Sequence, residues 1–197
     1  RNPRGGKNGC WRNERAVMED MIGAAWPLEE SADDNAALPP PWDGVADFEN
    51  RTTEAAMVEL QYRDPLLALR VCRSVFCRAE ARGDKQAALH ALFLACANLY
   101  NSSQRTLADR VFAIVRERAR GVGASQLSAR IALADAKQLS EQVEHAQAMV
   151  VRQHALDLAM ALGDNRVIFF ALGGLAVSAA EAGESGLTLS LCAQQKP

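Results

Sequence analysis

The chain has 197 residues, 22 Lys plus Arg against 24 Asp plus Glu, and 49% hydrophobic residues, the balance of a soluble globular protein and not of a disordered tail or a basic nucleic-acid-coating protein. A formal charge of −2 supplies no global field to hold DNA or an anionic membrane, and no run of about 18 apolar residues reads as a bilayer span. Alanine takes 36 positions while Trp, Tyr and Phe together make only 6%, which favours helix over sheet.

No charged-then-apolar leader follows Arg1, so no signal peptide is read and the expected location is the cytoplasm. Residues 1–50 form an N-terminal extension: a Gly/Arg/Asn start, RNPRGGKNG, one short helix at about 14–25, then an acidic Pro-rich stretch ending ALPPPWDG. Residues 16–50 carry nine acids and no Lys or Arg, whereas the chain from Arg51 onward has 17 basic against 14 acidic residues. All three tryptophans (Trp11, Trp26, Trp42) lie in the extension, and no proline interrupts residues 66–196. The extension has too few periodic apolar residues to fold alone, so it is either disordered or docked on the rest of the chain. Docking would be an intramolecular contact by residues 16–50, anchored by Trp26 and Trp42 and steered by the basic surplus of residues 51–120. Pro39, Pro40 and Pro41 would keep the chain extended, a shape suited to a groove.

Residues 51–197 read as a helical repeat domain. Apolar periodicity and punctuation place helices at about 52–62, 64–82, 85–100, 104–120, 124–141, 144–162, 165–182 and 185–195. Asp64 and Pro65 open the second as cap and first-turn proline. Ala68, Ala108 and Ala148 stand forty residues apart, and each is followed by residues four and then three further on: Cys72 and Val75, Phe112 and Val115, Arg152 and Ala155. Those steps share one helix face, with a small residue where a neighbour comes close. The helix ends AEARGD, RERARG and AMALGD put glycine at a left-handed cap. On the preceding helix Phe93, Cys96, Ala97 and Tyr100 mark the buried seam, with weaker counterparts in the later pairs. The result is four antiparallel helix pairs. The last is incomplete, since the helix after Glu184 is shorter than its equivalents, and this implies a longer chain.

No catalytic constellation is present. The five cysteines (Cys10, Cys72, Cys77, Cys96, Cys192) are odd in number and lack a CxxC, and read as reduced core residues with no zinc or other metal. His145 and His154 are nine apart and point to different faces, His90 stands alone, and all three read as structural or surface residues. Gly173-Gly174 lies inside an apolar helix, where close packing explains it better than a phosphate loop. Arg70, Arg73, Arg78, Arg82, Arg116, Arg118 and Arg120 read first as cations at helix ends, and secondly as a basic face for a partner.

Phe93, Cys96, Ala97, Tyr100, Ala108, Phe112 and Val115 occupy the places of the tetratricopeptide-repeat signature, and residues 52–195 resemble that family. The departures are a period near 40 and not 34, Arg152 at an aromatic position, and no proline between repeats. The longer repeat, the LGD ending and the DPLLAL opening at 64–69 look like the sensory regions of bacterial diguanylate cyclases and of some large transcriptional activators. The resemblance implies an all-α fold, a right-handed superhelix of antiparallel helix pairs. It also implies a non-enzymatic, cofactor-free module that binds a peptide or partner domain in the concave groove, without nucleic acid or membrane. Asn98, Asn101, Gln138, Glu141 and Ser178 are the expected groove residues. The alternative is a regulatory input domain of a larger signalling protein.

Overall fold

The computed structural model describes residues 37–194. They contain a short 3-10 turn, Trp42–Gly44, and eight helices: α1 Arg51–Arg63, α2 Pro65–Arg82, α3 Lys85–Asn101, α4 Arg105–Ala119, α5 Gln126–Glu141, α6 His145–Leu162, α7 Asn165–Glu181 and α8 Ser185–Gln194. No strand occurs among the described residues. The described part of the chain is therefore all-α, and each helix lies within about two residues of its predicted span. The helix at 14–25 and the Trp26 anchor lie outside the described residues.

Side-chain caps start most helices, because the first turn leaves backbone N–H groups without helical partners. Asn50 Oδ1 accepts from Thr52 N–H at 2.9 Å, Asp64 from Leu67 at 3.0 Å, Asp84 from Ala87 at 3.0 Å and Asp164 from Val167 at 3.1 Å. Asp84 and Asp164 belong to the RGD and LGD endings, so one tripeptide ends a helix with its glycine and caps the next with its aspartate. Gly83 and Gly163 have φ of 70° and 68°. The following N–H closes each turn, Asp84 to Ala79 O and Asp164 to Ala159 O, both at 2.9 Å.

The forty-residue period extends to the backbone. Ser103, Val143 and Gly183 all have positive φ, at 61°, 67° and 78°. The next N–H returns five residues in each case: Gln104 to Leu99 O (2.9 Å), Glu144 to Leu139 O (2.9 Å) and Glu184 to Ala179 O (2.8 Å). This is the six-to-one bond of a Schellman turn. The expected glycine cap after α4 does not form. Arg120, Gly121 and Val122 instead donate three residues back, to Glu117, Arg118 and Ala119. RERARG lacks the trailing aspartate, and α5 is capped later by Ser125 Oγ, which accepts from Ser128 N–H at 3.1 Å.

By internal contacts the chain divides into two compact units, Arg1–Ile114 and Val115–Pro197. In the first, α2 packs on α1 and α3, and α1 also touches α3. Met57, Val71, Val75, Phe76, Leu89, Leu92, Leu94 and Leu99 are fully buried. Two buried amides tie the helices together: Gln61 Nε2 donates to Leu94 O at 2.9 Å and Asn98 Nδ2 to Pro65 O at 2.7 Å. In the second unit α5, α6, α7 and α8 pack in succession, and α5 also meets α7. Its core gathers Leu156, Leu172, Leu175 and Leu191 around Ala171, Ala176 and Ala179. A smaller cluster joins Ala129, Ala159 and Val167. Ala68, Ala108 and Ala148 are all without solvent exposure, as closest-approach positions must be.

Candidate interaction surface

The structure separates the five expected groove residues. Asn98 is fully buried and spends its amide on Pro65 O. Ser178 is also buried and accepts from an Arg152 guanidinium N–H through its Oγ. Neither can face a groove. Gln138 is half-buried, while Asn101 and Glu141 are exposed. The error traces to the proposed seam of α3, where Phe93, Ala97 and Tyr100 are only half-buried and Leu92, Leu94, Ala95, Cys96, Asn98 and Leu99 are interior. This helix is apolar on nearly every side, so periodicity alone cannot select its inward face.

The clearest surface feature lies on α7. Val167, Ala171, Leu172, Leu175, Ala176 and Ala179 face inward, while Phe169, Phe170 and Val177 stand 53%, 52% and 56% exposed. The two rings meet edge to face, with centroids 5.8 Å apart. Steps of three and four from Phe170 through Gly173 to Val177 make one apolar stripe. The FF pair was visible in the sequence, but its outward direction was not.

Beside the stripe runs a polar seam between α6 and α7. Arg152 stands where the second pair has Phe112, yet it is 8% exposed. Gly174 makes room for it, since a Cβ there would stand 2.7 Å from Arg152 Nε. Burial pulls the guanidinium below its ordinary pKa, and the charge of Glu181 opposes that pull. His145 Nδ1 lies 3.3 Å from Glu181 Oε2, an ion pair when the imidazole is protonated.

In the first unit, residues 37–50 lie against α2 and α3. Trp42 and Phe48 are buried, Arg78 Nη1 donates to Asp43 O at 2.8 Å, and Arg82 Nη2 donates to Ala46 O at 3.2 Å. The proline run is not extended: Trp42 N–H folds back to Pro39 O at 2.9 Å. Phe48 meets the His90 ring edge-on at 5.9 Å, and His90 Nε2 is 4.0 Å from Glu54 Oε1. The segment therefore covers the end of the layer where α1 begins, α2 ends and α3 begins.

Cys72 and Cys96 are buried, but Cys77 and Cys192 are exposed, which corrects their reading as core residues. Burial, with the nearby Asp109 charge adding to it, pushes the Cys96 thiol up to about 12, and burial alone pushes Cys72 higher still. Cys96 Sγ also donates to Ala108 O at 3.3 Å. Among the described residues no three His, Cys, Asp or Glu side chains gather as a metal would require, and no helix is long and apolar enough to cross a membrane.

The described residues thus form an all-helical, repeat-like array with an exposed apolar stripe on α7 and a non-α-helical segment, residues 37–50, packed on α2 and α3. No protein-family model, curated protein or solved structure matches the chain.

Proposed function

We propose that the chain is a non-enzymatic protein-interaction or sensory module of the cytoplasm, its helix pairs stacked in a right-handed superhelix of the tetratricopeptide type. In such a superhelix the first helix of each pair lines the concave face, and α7 is the first helix of its pair. The observation that carries the reading is the exposed Phe169, Phe170 and Val177 stripe. Contiguous exposed apolar surface marks binding sites, and aromatic side chains dominate their energetics. A partner helix or peptide with apolar residues three and four apart would cover it, with the exposed Glu141 of the same unit as a polar contact. A random-peptide display screen on the full chain tests this. Selected peptides should bind wild type and lose about tenfold or more in affinity for Phe170→Ser and Val177→Glu, whose helicity by circular dichroism is unchanged. Peptides that bind all three proteins equally would overturn it.

The second reading, a regulatory input domain of a diguanylate cyclase or transcriptional activator, is favoured by α8. That helix has no charged residue from Ser185 to Gln194, and it exposes Leu189 at 73%, a side chain that an adjoining output domain would cover. Under it, Leu189→Glu would leave peptide binding intact and uncouple the output.

A further inference from the structure

Residues 37–50 meet the helices through two buried side chains and two main-chain hydrogen bonds. Only Trp42 and Phe48 are buried among them, at 8% and 0% exposure. Between these anchors the segment makes a single 3-10 turn. Arg78 and Arg82, from the last two turns of α2, donate to the carbonyls of Asp43 and Ala46. Any residue would present those carbonyls, so these two bonds read the main chain and leave selectivity to the aromatic side chains and to charge. The segment carries Asp43, Asp47 and Glu49 with no Lys or Arg, whereas α2 carries Arg70, Arg73, Arg78 and Arg82 against Glu80 alone. Charge of this kind speeds and orients docking, while the apolar anchors hold it.

We propose that the seat formed by the C-terminal end of α2 and the N-terminal half of α3 is a peptide-binding site that residues 37–50 fill as a tethered ligand. The partner it fits is a segment of another protein that is acidic, non-helical and carries two aromatic residues six positions apart. Such a segment displaces the tethered one. The seat is separate from the α7 stripe, and this reading does not depend on what the stripe binds.

The test uses the full chain and a fluorescein-labelled peptide of residues 37–50, followed by fluorescence anisotropy. Wild type binds it weakly, because a short tether holds the internal segment at an effective concentration of order millimolar. The Trp42→Ala/Phe48→Ala variant keeps the seat, frees it of its anchored occupant, and binds the peptide about tenfold or more tightly than wild type does. A peptide with alanine at both aromatic positions loses that affinity. Equal binding to the two proteins, or equal binding of the two peptides, overturns the proposal. So does a wild-type dimer that the peptide splits, which would put a second copy's segment in the seat. Hydrogen exchange on wild type is independent of whether the variant folds. The Trp42 amide, bonded to Pro39 O, should exchange at least about tenfold faster than the Val75 and Phe76 amides, because a tethered ligand opens without the core. Matching protection at these three amides makes the segment part of the core and overturns the proposal.

Discussion

Gly174→Ala is expected to destabilise the protein, although alanine in a helix interior normally stabilises by about 0.8–1.0 kcal/mol relative to glycine. The added Cβ would stand 2.7 Å from Arg152 Nε, 3.0 Å from Cδ and 3.4 Å from Cζ. A flexible side chain can often retreat from such an intrusion, but Arg152 is 8% exposed and its guanidinium donates to Ser178 Oγ. Retreat breaks that bond, a loss of about 1.5–3 kcal/mol for a charged donor, and staying overpacks the seam by about 1–3 kcal/mol. Set against the propensity gain, retreat leaves a net loss of about 0.5–2 kcal/mol and staying one of up to about 2 kcal/mol. In a protein of this size each kcal/mol moves Tm by about 2–4 °C. Arg152→Met lets the obstacle yield, because its Sδ and Cε take the places of Cδ and Nε with no hydrogen bond to Ser178 to hold them, and it removes a buried charge that faces Ser178 Oγ and the Glu181 charge, so by itself it should be near neutral or stabilising. In that background Gly174→Ala should become stabilising by about 0.5–1 kcal/mol. Thermal or urea unfolding of the four proteins completes the double-mutant cycle. If Gly174→Ala stabilises wild type as much as it stabilises the Arg152→Met variant, the two residues do not compete for space and the reasoning fails.

Val143 has φ of 67°, a region that disfavours a β-branched residue by about 1–2 kcal/mol. Its counterpart forty residues on, Gly183, has none of that strain. Val143→Gly should therefore gain about 0.5–1 kcal/mol after glycine's larger entropy cost, and an unchanged or lower Tm would refute it. Ala108→Leu, at a position without solvent exposure, should cost about 1–3 kcal/mol, whereas exposed Ala113→Leu stays within about 0.5 kcal/mol. Equal melting temperatures would remove Ala108 from the closest approach. In a Cys10→Ser background, Cys77 and Cys192 should react with a thiol reagent at neutral pH while Cys72 and Cys96 react only on unfolding, and four equally fast thiols would contradict the burial. Because the Cys96 thiol is raised from 9.0 to about 12 in the fold, its contribution is complete below pH 9.0 and is lost as pH rises towards 12. The stability advantage of wild type over Cys96→Ala should narrow across that range in urea titrations.

The helices and their forty-residue period were legible in the sequence because each rests on local chemistry. Asp64, Asp84 and Asp164 cap with side chains that reach only three residues ahead, Gly83 and Gly163 supply the left-handed turns, and Ala68, Ala108 and Ala148 leave room at one fixed phase. What failed was the choice of face. The third helix is apolar all round, so the seam read through Phe93, Ala97 and Tyr100 was one of several equivalent phases, and Asn98, placed on the groove side, proved to be buried against Pro65. Arg152 shows the same limit from the other side. In sequence it is an arginine where an aromatic belongs, and only the packing of α6 on α7 brings the missing Cβ of Gly174 and the hydroxyl of Ser178 to it. The docked segment was harder still. Trp42 was legible as an anchor, but Arg78 and Arg82 reach main-chain carbonyls 35 and 36 residues away. A carbonyl is common to every residue, so such a contact leaves no periodicity, motif or composition bias in the chain, and only the tertiary structure decides where it forms.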